Sequence, residues 1–160
     1  MELQQWLNDT QLGEFCFTIL VSMLPVVELR GGIPFGVAAG LPLHWAFLAA
    51  FIGNILPVPF LILFTRRVIT FLYHHFASLR GAIAWLERKA DKKKEVVMRY
   101  RTLGLFVLVA IPLPGTGAWT GCLVAAVLNM RLKNAVPAIF AGVLAAGCII
   151  AVLTHGLFNI

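Results

Sequence analysis

Two long apolar stretches of this sequence are each broken by a short segment containing proline and glycine, and these breaks limit what the chain can fold into. The first stretch, residues 15–43, is interrupted at Pro25 and at residues 28–34, and the second, residues 103–130, is broken at residues 112–117. At about 1.5 Å per helical residue, the arms on either side of a break reach only part of the way across about 30 Å of hydrocarbon. We therefore predict a re-entrant helical hairpin from each stretch, hairpin one and hairpin two.

Two further apolar runs, residues 45–65 and 134–158, are long enough to cross a bilayer as helices. The composition agrees, because 60% of the residues are hydrophobic and only 12% are charged, whereas about a quarter of the residues in soluble domains are charged. The sequence therefore predicts an all-α membrane protein that forms a single transmembrane domain over residues 1–160.

The basic residues lie mostly in one part of the chain. Ten of the 13 Lys and Arg fall between residues 66 and 101, whereas residues 1–15 carry acidic residues and no basic ones. Basic residues that flank membrane segments collect on the cytoplasmic side. We therefore expect a multi-pass protein of the inner (plasma) membrane, with residues 66–102 in the cytoplasm and both termini outside. A cleaved signal peptide is not expected, because the N-terminus lacks a basic region.

Two topologies remain open for hairpin two. If it enters and leaves on one side, Arg131 and Lys133 are cytoplasmic, and Arg30 is the one basic residue that does not lie on that side. If residues 103–130 cross the membrane as one broken helix, Arg131 and Lys133 lie outside. The charge distribution favours the re-entrant hairpin.

Small residues recur at matching positions in the two halves of the chain, a pattern that can also arise by chance in a sequence rich in Gly and Ala. A spacing of four places small residues on one helix face and allows backbones to approach closely. The matches are Gly32, Gly36 and Gly40 with Gly117, Gly121 and Ala125, at an offset of 85, and Ala49, Phe51 and Gly53 with Ala138, Phe140 and Gly142, at an offset of 89.

These matches predict two repeats, each a re-entrant hairpin followed by a transmembrane helix. Repeat one covers about residues 12–75 and repeat two about residues 103–160, with a basic amphipathic helix at about residues 76–102 on the cytoplasmic membrane surface between them. With the hairpin topology above, the repeats are inverted relative to each other, an arrangement typical of transporters whose broken helices meet near the membrane midplane.

Glu28 and Arg30 are the charged residues expected at hydrocarbon depth. Burying either one alone costs several kcal/mol, so we expect them to pair with each other, to face a water-filled cavity, or to contact free backbone ends. One interpretation is an ion pair that locks the hairpin. The other is a proton-coupling carboxylate, Glu28, beside a guanidinium that binds an anion.

The second break offers an unwound backbone before a helix N-terminus, where free N–H groups and the helix dipole attract anions. Gly31 and Gly32, before Ile33, are expected to offer the same feature from hairpin one. Asn54, inside a spanning run, is a candidate cavity-lining residue. The candidate substrate-binding residues are Arg30, Gly31, Gly32, Pro114, Gly115, Thr116, Gly117, Trp119 and Thr120.

Other classes of protein are disfavoured. The three cysteines are not paired in CxxC motifs, and the four histidines do not cluster with carboxylates, so we expect no metal and no cofactor. We find no nucleophile and base set, which argues against an enzyme. The basic segment suits anionic membrane lipids rather than nucleic acid. The small-residue faces and the limited size of the chain suggest a homodimer.

Residues 28–34 (ELRGGIP) together with residues 112–121 (PLPGTGAWTG) resemble the motif pair of bacterial and archaeal proteins labelled small multidrug export proteins, and the resemblance covers nearly the whole chain. More distantly, two re-entrant hairpins with buried acidic and arginine residues are similar to the DedA/VTT membrane proteins, whose members are implicated in moving lipids across membranes. The resemblance implies a transporter-like fold with Glu28 and Arg30 as candidate functional residues. The chain departs from the DedA pattern at residues 114–116 (PGT), where hairpin two lacks a second acidic residue.

The sequence thus predicts a secondary transporter or lipid flippase for an amphipathic anionic substrate such as a lipid phosphate, coupled to protons through Glu28. One alternative is an exporter of cationic compounds, in which Glu28 is the counter-ion of the substrate. The other is a structural membrane protein that transports nothing.

Overall fold

The computed structural model of the protein describes residues 11–75, 94–113 and 115–158. Over these residues the secondary structure is helical, without a strand, which confirms the predicted all-α class. In chain order the helices are α1 (Gln11–Ser22), α2 (Glu28–Ala38), α3 (Leu43–Ile55), α4 (Val58–His75), α5 (Lys94–Ala110), α6 (Ala118–Val127) and α7 (Leu132–Phe158).

Hairpin one consists of α1 and α2, which are joined by a tight turn at residues 23–27. Of the two predicted interruptions, the one at residues 28–34 is not a break, because α2 already begins at Glu28 and contains Pro34. A proline inside a helix removes the hydrogen bond to the carbonyl four residues earlier, and membrane helices tolerate this loss. The chain turns earlier, where Pro25 lies in the turn.

Hairpin two consists of α5 and α6, and its predicted break is confirmed, because α5 ends at Ala110 and α6 begins at Ala118. Helix α5, however, already begins at Lys94, so the basic residues 94–101 continue directly into hairpin two. The predicted end of the amphipathic helix and the predicted start of repeat two therefore fall within one continuous helix. The remainder of that predicted helix, residues 76–93, lies outside the described residues.

Two apolar helical segments are long enough to cross a membrane, Leu43–Phe71 and Leu132–Leu157, with mean hydropathies of 2.3 and 2.5. The first consists of α3 and most of α4, which meet at a break at residues 56–57. In each segment only 33% of the apolar 18-residue stretch is buried inside the protein. Phe60 and Phe64 are 70% and 68% exposed. A core helix of a soluble protein buries most of such a surface, so these helices indicate a membrane protein.

The hairpins pack against the long helices in the same pattern in both halves. Helices α1 and α2 pack against α3, while α5 and α6 pack against α7. The second arm of each hairpin also contacts the other half, because α2 packs against α7 and α6 packs against α4. The core that these contacts enclose includes Leu29, Ile33, Val109, Cys122 and Ile139.

Close backbone contacts allow the two halves to be compared residue by residue. Gly53 of α3 lies against the Ile19 carbonyl of α1, and Gly142 of α7 lies against the Phe106 carbonyl of α5, so a Cβ at either glycine would crowd the first arm of its hairpin. If the two contacts are taken as equivalent, Ile19 corresponds to Phe106, so the first arms are related by an offset of 87 residues. Gly53 then corresponds to Gly142, so the long helices are related by an offset of 89.

The second arms of the hairpins follow the offset of the long helices. Gly32 faces Ala50, and Gly121 faces Ile139, so the members of both equivalent pairs are 89 residues apart. These contacts pair Gly32 with Gly121, whereas the sequence match at an offset of 85 pairs it with Gly117. A pattern of small residues spaced by four keeps its appearance when it is shifted by about one helical turn, and the sequence alone does not fix the register.

Candidate functional site

The Glu28 carboxylate binds the N-terminus of α6. Glu28 is buried at the start of α2, and its Oε1 accepts a hydrogen bond from the backbone N–H of Trp119 at 3.1 Å. The N-cap residue of α6, Gly117, provides no side-chain cap. Glu28 therefore supplies, from the other hairpin, the acceptor that a polar N-cap residue ordinarily supplies within its own helix.

The backbone around this contact is built for close approach. Glu28 has a φ of +48°, a left-handed conformation that costs a residue with a side chain about 1–2 kcal/mol. Gly117 lies directly against the carboxylate, and a Cβ at Gly117 would overlap the Glu28 carboxylate oxygens. Strained residues that the surrounding structure holds in place are frequent at functional sites.

The Arg30 guanidinium binds the irregular segment that follows α5. Its Nη1 donates to the Leu113 carbonyl at 2.6 Å, and its Nη2 donates to the Ile111 carbonyl at 3.0 Å and to Thr116 Oγ1 at 3.1 Å. These acceptors lie in the break between α5 and α6. The planar fork of an arginine can reach several acceptors at once, which a lysine ammonium does only with less fixed geometry.

The two charges of hairpin one thus bind opposite ends of the break in hairpin two. The negative Glu28 lies at the positive end of the α6 dipole, and the positive Arg30 lies beyond the negative end of the α5 dipole. Of the arrangements expected from the sequence, contact with free backbone ends is observed, and both side chains also line a small cavity. Glu28 and Arg30 do not form an ion pair with each other.

Hairpin two also binds back to hairpin one through Trp119. The indole Nε1 donates to the Met23 carbonyl at 3.2 Å, just after the end of α1. Within hairpin two, the Thr116 hydroxyl is 2.8 Å from the Ile111 carbonyl, and Thr120 Oγ1 donates to the Gly115 carbonyl at 2.8 Å. The ends of the two hairpins at which the chain turns, the hairpin tips, are therefore joined in both directions by hydrogen bonds. These bonds use groups left free at helix ends.

A small cavity of about 10 Å³ lies beside this contact, lined by Glu28, Arg30 and Asn54 together with apolar residues. Asn54 is 3% exposed, and its Oδ1 has no hydrogen-bond partner. An unpartnered buried amide oxygen is unfavourable, and a cavity of this size is at the lower limit of what holds one water molecule. The cavity is therefore a place where a water molecule or a proton donor would satisfy Asn54.

The structure brings together part of the predicted site. Glu28, Arg30, Thr116, Gly117 and Trp119 meet at the hairpin tips, with Thr120 and Gly115 bonded to each other next to them, and Asn54 lines the adjoining cavity. Gly31 and Gly32 do not precede a helix N-terminus, because both lie inside α2, and Gly32 packs against Ser22 and Ala50. Pro114 lies outside the described residues.

Sequence reasoning missed two contributions to the site. The Met23 carbonyl is a backbone acceptor, and no pattern of side chains identifies such a group. The role of Gly117 as the space for Glu28 depends on how the two hairpins meet, which no sequence pattern gives, although the two residues are 89 positions apart, the offset of the long helices. The same offset relates Asn54 to Val143, which lines the same cavity.

The fold and the site define a class of protein, an α-helical membrane protein in which two hairpins of broken helices meet in the interior. The chain belongs to the family described as small multi-drug export protein, a description that is itself provisional, and it matches that family over residues 28–149. The match begins at Glu28 and includes the break of hairpin two, and the family description indicates export across a membrane. No curated protein and no solved structure shows significant similarity to the chain. The more distant resemblance to DedA/VTT proteins gains no support from these comparisons.

Proposed function

We propose that the protein is a secondary transporter, or lipid flippase, for an amphipathic anionic substrate such as a lipid phosphate, and that Glu28 couples transport to protons. The observation that carries this proposal is the pair of contacts by which Glu28 and Arg30 hold the two ends of the break in hairpin two. These contacts close the interior between the hairpin tips. A substrate that passes there has to replace them.

Separation of the tips exposes positively charged groups. Arg30 loses its carbonyl acceptors, and the N-terminus of α6 loses the Glu28 carboxylate. An anionic headgroup can replace both sets of partners, because a guanidinium and free backbone N–H groups are the usual ligands of phosphate. The exposed apolar surfaces of α4 and α7 suit the lipid chains of an amphipathic substrate.

Protonation of Glu28 favours this exchange. The neutral carboxyl is a weaker acceptor for the Trp119 N–H and no longer opposes an anion near Arg30. The cavity beside Glu28 is lined by Asn54, whose unpartnered Oδ1 can accept a hydrogen bond from a protonated carboxyl or from a water molecule. Proton binding and anion binding therefore support each other at one place.

The distribution of charge between the halves supports an inverted arrangement of the two repeats. Glu14 of α1 and Arg101 of α5 are equivalent positions at the offset of 87, and they carry opposite charges. Arg101 donates to the Leu128 carbonyl at the end of α6. If these positions lie on opposite sides of the membrane, the positive-inside rule places an acidic residue outside and a basic residue inside. Inverted repeats of this kind support alternating access.

The test is transport by the purified protein in proteoliposomes that carry a pH gradient. We expect uptake of a fluorescent lipid phosphate to depend on the gradient and to lose this dependence in Glu28→Gln, because the glutamine still accepts from Trp119 N–H but binds no proton. Glu14→Gln is the matched control, since it also removes one carboxylate, and it should transport as the unchanged protein does.

The family description favours a second candidate, the export of cationic compounds, and the same assay separates the alternatives. Transport of a cationic dye that is lost in Glu28→Gln, without transport of the lipid phosphate, would contradict an anionic substrate. A protein that transports neither compound, and in which Glu28→Gln lowers only the thermal stability, would identify a structural role for the hairpin contacts.

A further inference from the structure

An open groove of about 600 Å³ lies between α5 and α7 on the surface of the second half of the protein. Thr102, Lys133 and Asn134 line one end of the groove, and Phe106 and Ala141 line it further along the two helices. The groove is thus amphipathic, with polar side chains gathered at one end. It lies outside the hairpin tips, and none of the proposed substrate-binding residues lines it.

The first half of the protein has large side chains where this groove is open. Phe15 of α1 and Trp45 of α3 pack edge to face there, with ring centroids 5.8 Å apart. At the offset of 87 for the first arms and 89 for the long helices, four residues that line the groove have larger side chains at the equivalent positions of the first half. At these positions the groove is therefore open in the second half only. The equivalent pairs are Phe15 and Thr102, Trp45 and Asn134, Leu48 and Pro137, and Ile52 and Ala141.

The polar end of the groove carries positive charge that the first half lacks. Lys133 is exposed and pairs with no acidic residue in the described part of the chain, and Arg131 is exposed two residues before it. The equivalent residues of the first half are Pro42 and His44. A basic side chain at the end of an apolar groove complements a molecule with an anionic headgroup and a hydrocarbon chain.

We propose that this groove binds one anionic phospholipid, with an acyl chain along Phe106 and Ala141 and the phosphate at Lys133. Thr102 and Asn134 leave the space that Phe15 and Trp45 fill in the first half. This lipid site is separate from the hairpin tips, and the proposal does not depend on the proposed transport function.

The test is native mass spectrometry of protein extracted from bilayers of equal phosphatidylglycerol and phosphatidylcholine. We expect one retained phosphatidylglycerol in the unchanged protein. The double variant Thr102→Phe/Asn134→Trp introduces the side chains of the first half and should reduce retention at least tenfold. Ala141→Leu, a milder change that narrows the groove from its apolar end, should act in the same direction if the double variant folds poorly.

A separate variant tests the contribution of the Lys133 charge, as distinct from the open space of the groove. Lys133→Gln should retain a lipid but lose preference for phosphatidylglycerol by about fivefold, which corresponds to about 1 kcal/mol for one basic residue at a membrane surface. His44→Gln, at the equivalent position of the first half, should leave the preference unchanged.

Three results would overturn the proposal. The first is equal retention of both lipids by the unchanged protein. The second is undiminished retention of phosphatidylglycerol by Ala141→Leu and the double variant. The third is disulfide cross-linking in membranes between two copies that each carry Ala141→Cys, since a second copy would then occupy the groove. Loss of the retained lipid with normal transport would support the lipid site and leave the transport proposal unaffected.

Discussion

The placement of the Glu28 carboxylate depends on the absence of a side chain at Gly117. The backbone of Gly117 is extended, with a φ of 161°, so other residues could adopt its conformation. The space is the limiting factor, because a Cβ would overlap the carboxylate that accepts from the Trp119 N–H. Glu28, in turn, holds a left-handed φ that only a strong local contact maintains.

Gly117→Ala should therefore break the Glu28 contact while it preserves the backbone of α6. We expect a loss of about 1–3 kcal/mol, the range for an overpacked interior, together with loss of transport. Gly104→Ala is the matched control, because nothing lies within 4 Å of a Cβ there, and alanine favours the helix. Thermal unfolding in detergent measures both, and equal melting temperatures for the two variants would contradict the contact.

Asn54→Val should separate stability from function. Valine is the residue at the equivalent position 143, and it removes the unpartnered amide from the cavity. Replacing an unsatisfied buried polar group by an apolar group of similar size is neutral or stabilising. We therefore expect an unchanged or higher melting temperature together with loss of the dependence of transport on the pH gradient. Gradient-driven transport at the unchanged rate would show that Asn54 has no part in proton coupling.

At the scale of helices, the sequence predicts hairpin two better than hairpin one, and the reason is local. Residues 112–117 contain two prolines and two glycines within six positions, all of which disfavour a helix, and the break falls there. In hairpin one Pro34 lies inside α2, and the turn forms at residues 23–27, around Pro25. One proline inside a helix removes one backbone hydrogen bond, and the packing of α2 against α3 determines that the segment stays helical.

The register between the halves and the partners of Glu28 and Arg30 could not be read from the sequence. A spacing of four fits two registers one helical turn apart, and the contacts of Gly53 and Gly142 are needed to choose between them. The acceptors of Arg30 are backbone carbonyls of hairpin two. Their position depends on how the chain is broken there and not on the identity of their side chains.

Gly53→Ala and Gly142→Ala test the equivalence of the two halves. Each added methyl would meet the first arm of its own hairpin, at the Ile19 carbonyl in one half and at Phe106 and Val109 in the other. We expect both variants to lose about 1–3 kcal/mol of stability. Gly156→Ala, which has nothing within 4 Å of its Cβ, should keep or raise the melting temperature. A destabilised Gly53→Ala beside a stable Gly142→Ala would contradict equivalent packing.

For the molecule as a whole, the proposed transport requires two similar halves that lie in the membrane in opposite directions. Two long apolar helices, the repeated packing pattern and the family match establish a membrane protein of an export family. The opposite orientation is a proposal supported by charge: His44 and Lys133 are equivalent positions near the starts of α3 and α7, and the basic one lies in the half predicted to begin in the cytoplasm. A homodimer remains a prediction.

The measurement that tests this account most directly is labelling of a single cysteine at each of these two positions. His44→Cys and Lys133→Cys are placed in a background in which the exposed Cys16 and Cys148 are replaced by serine and the buried Cys122 is retained. A membrane-impermeant maleimide is then added to right-side-out membrane vesicles before and after permeabilisation. We expect labelling of His44→Cys from outside and of Lys133→Cys only after permeabilisation. Labelling of both positions from the same side would contradict the inverted repeat.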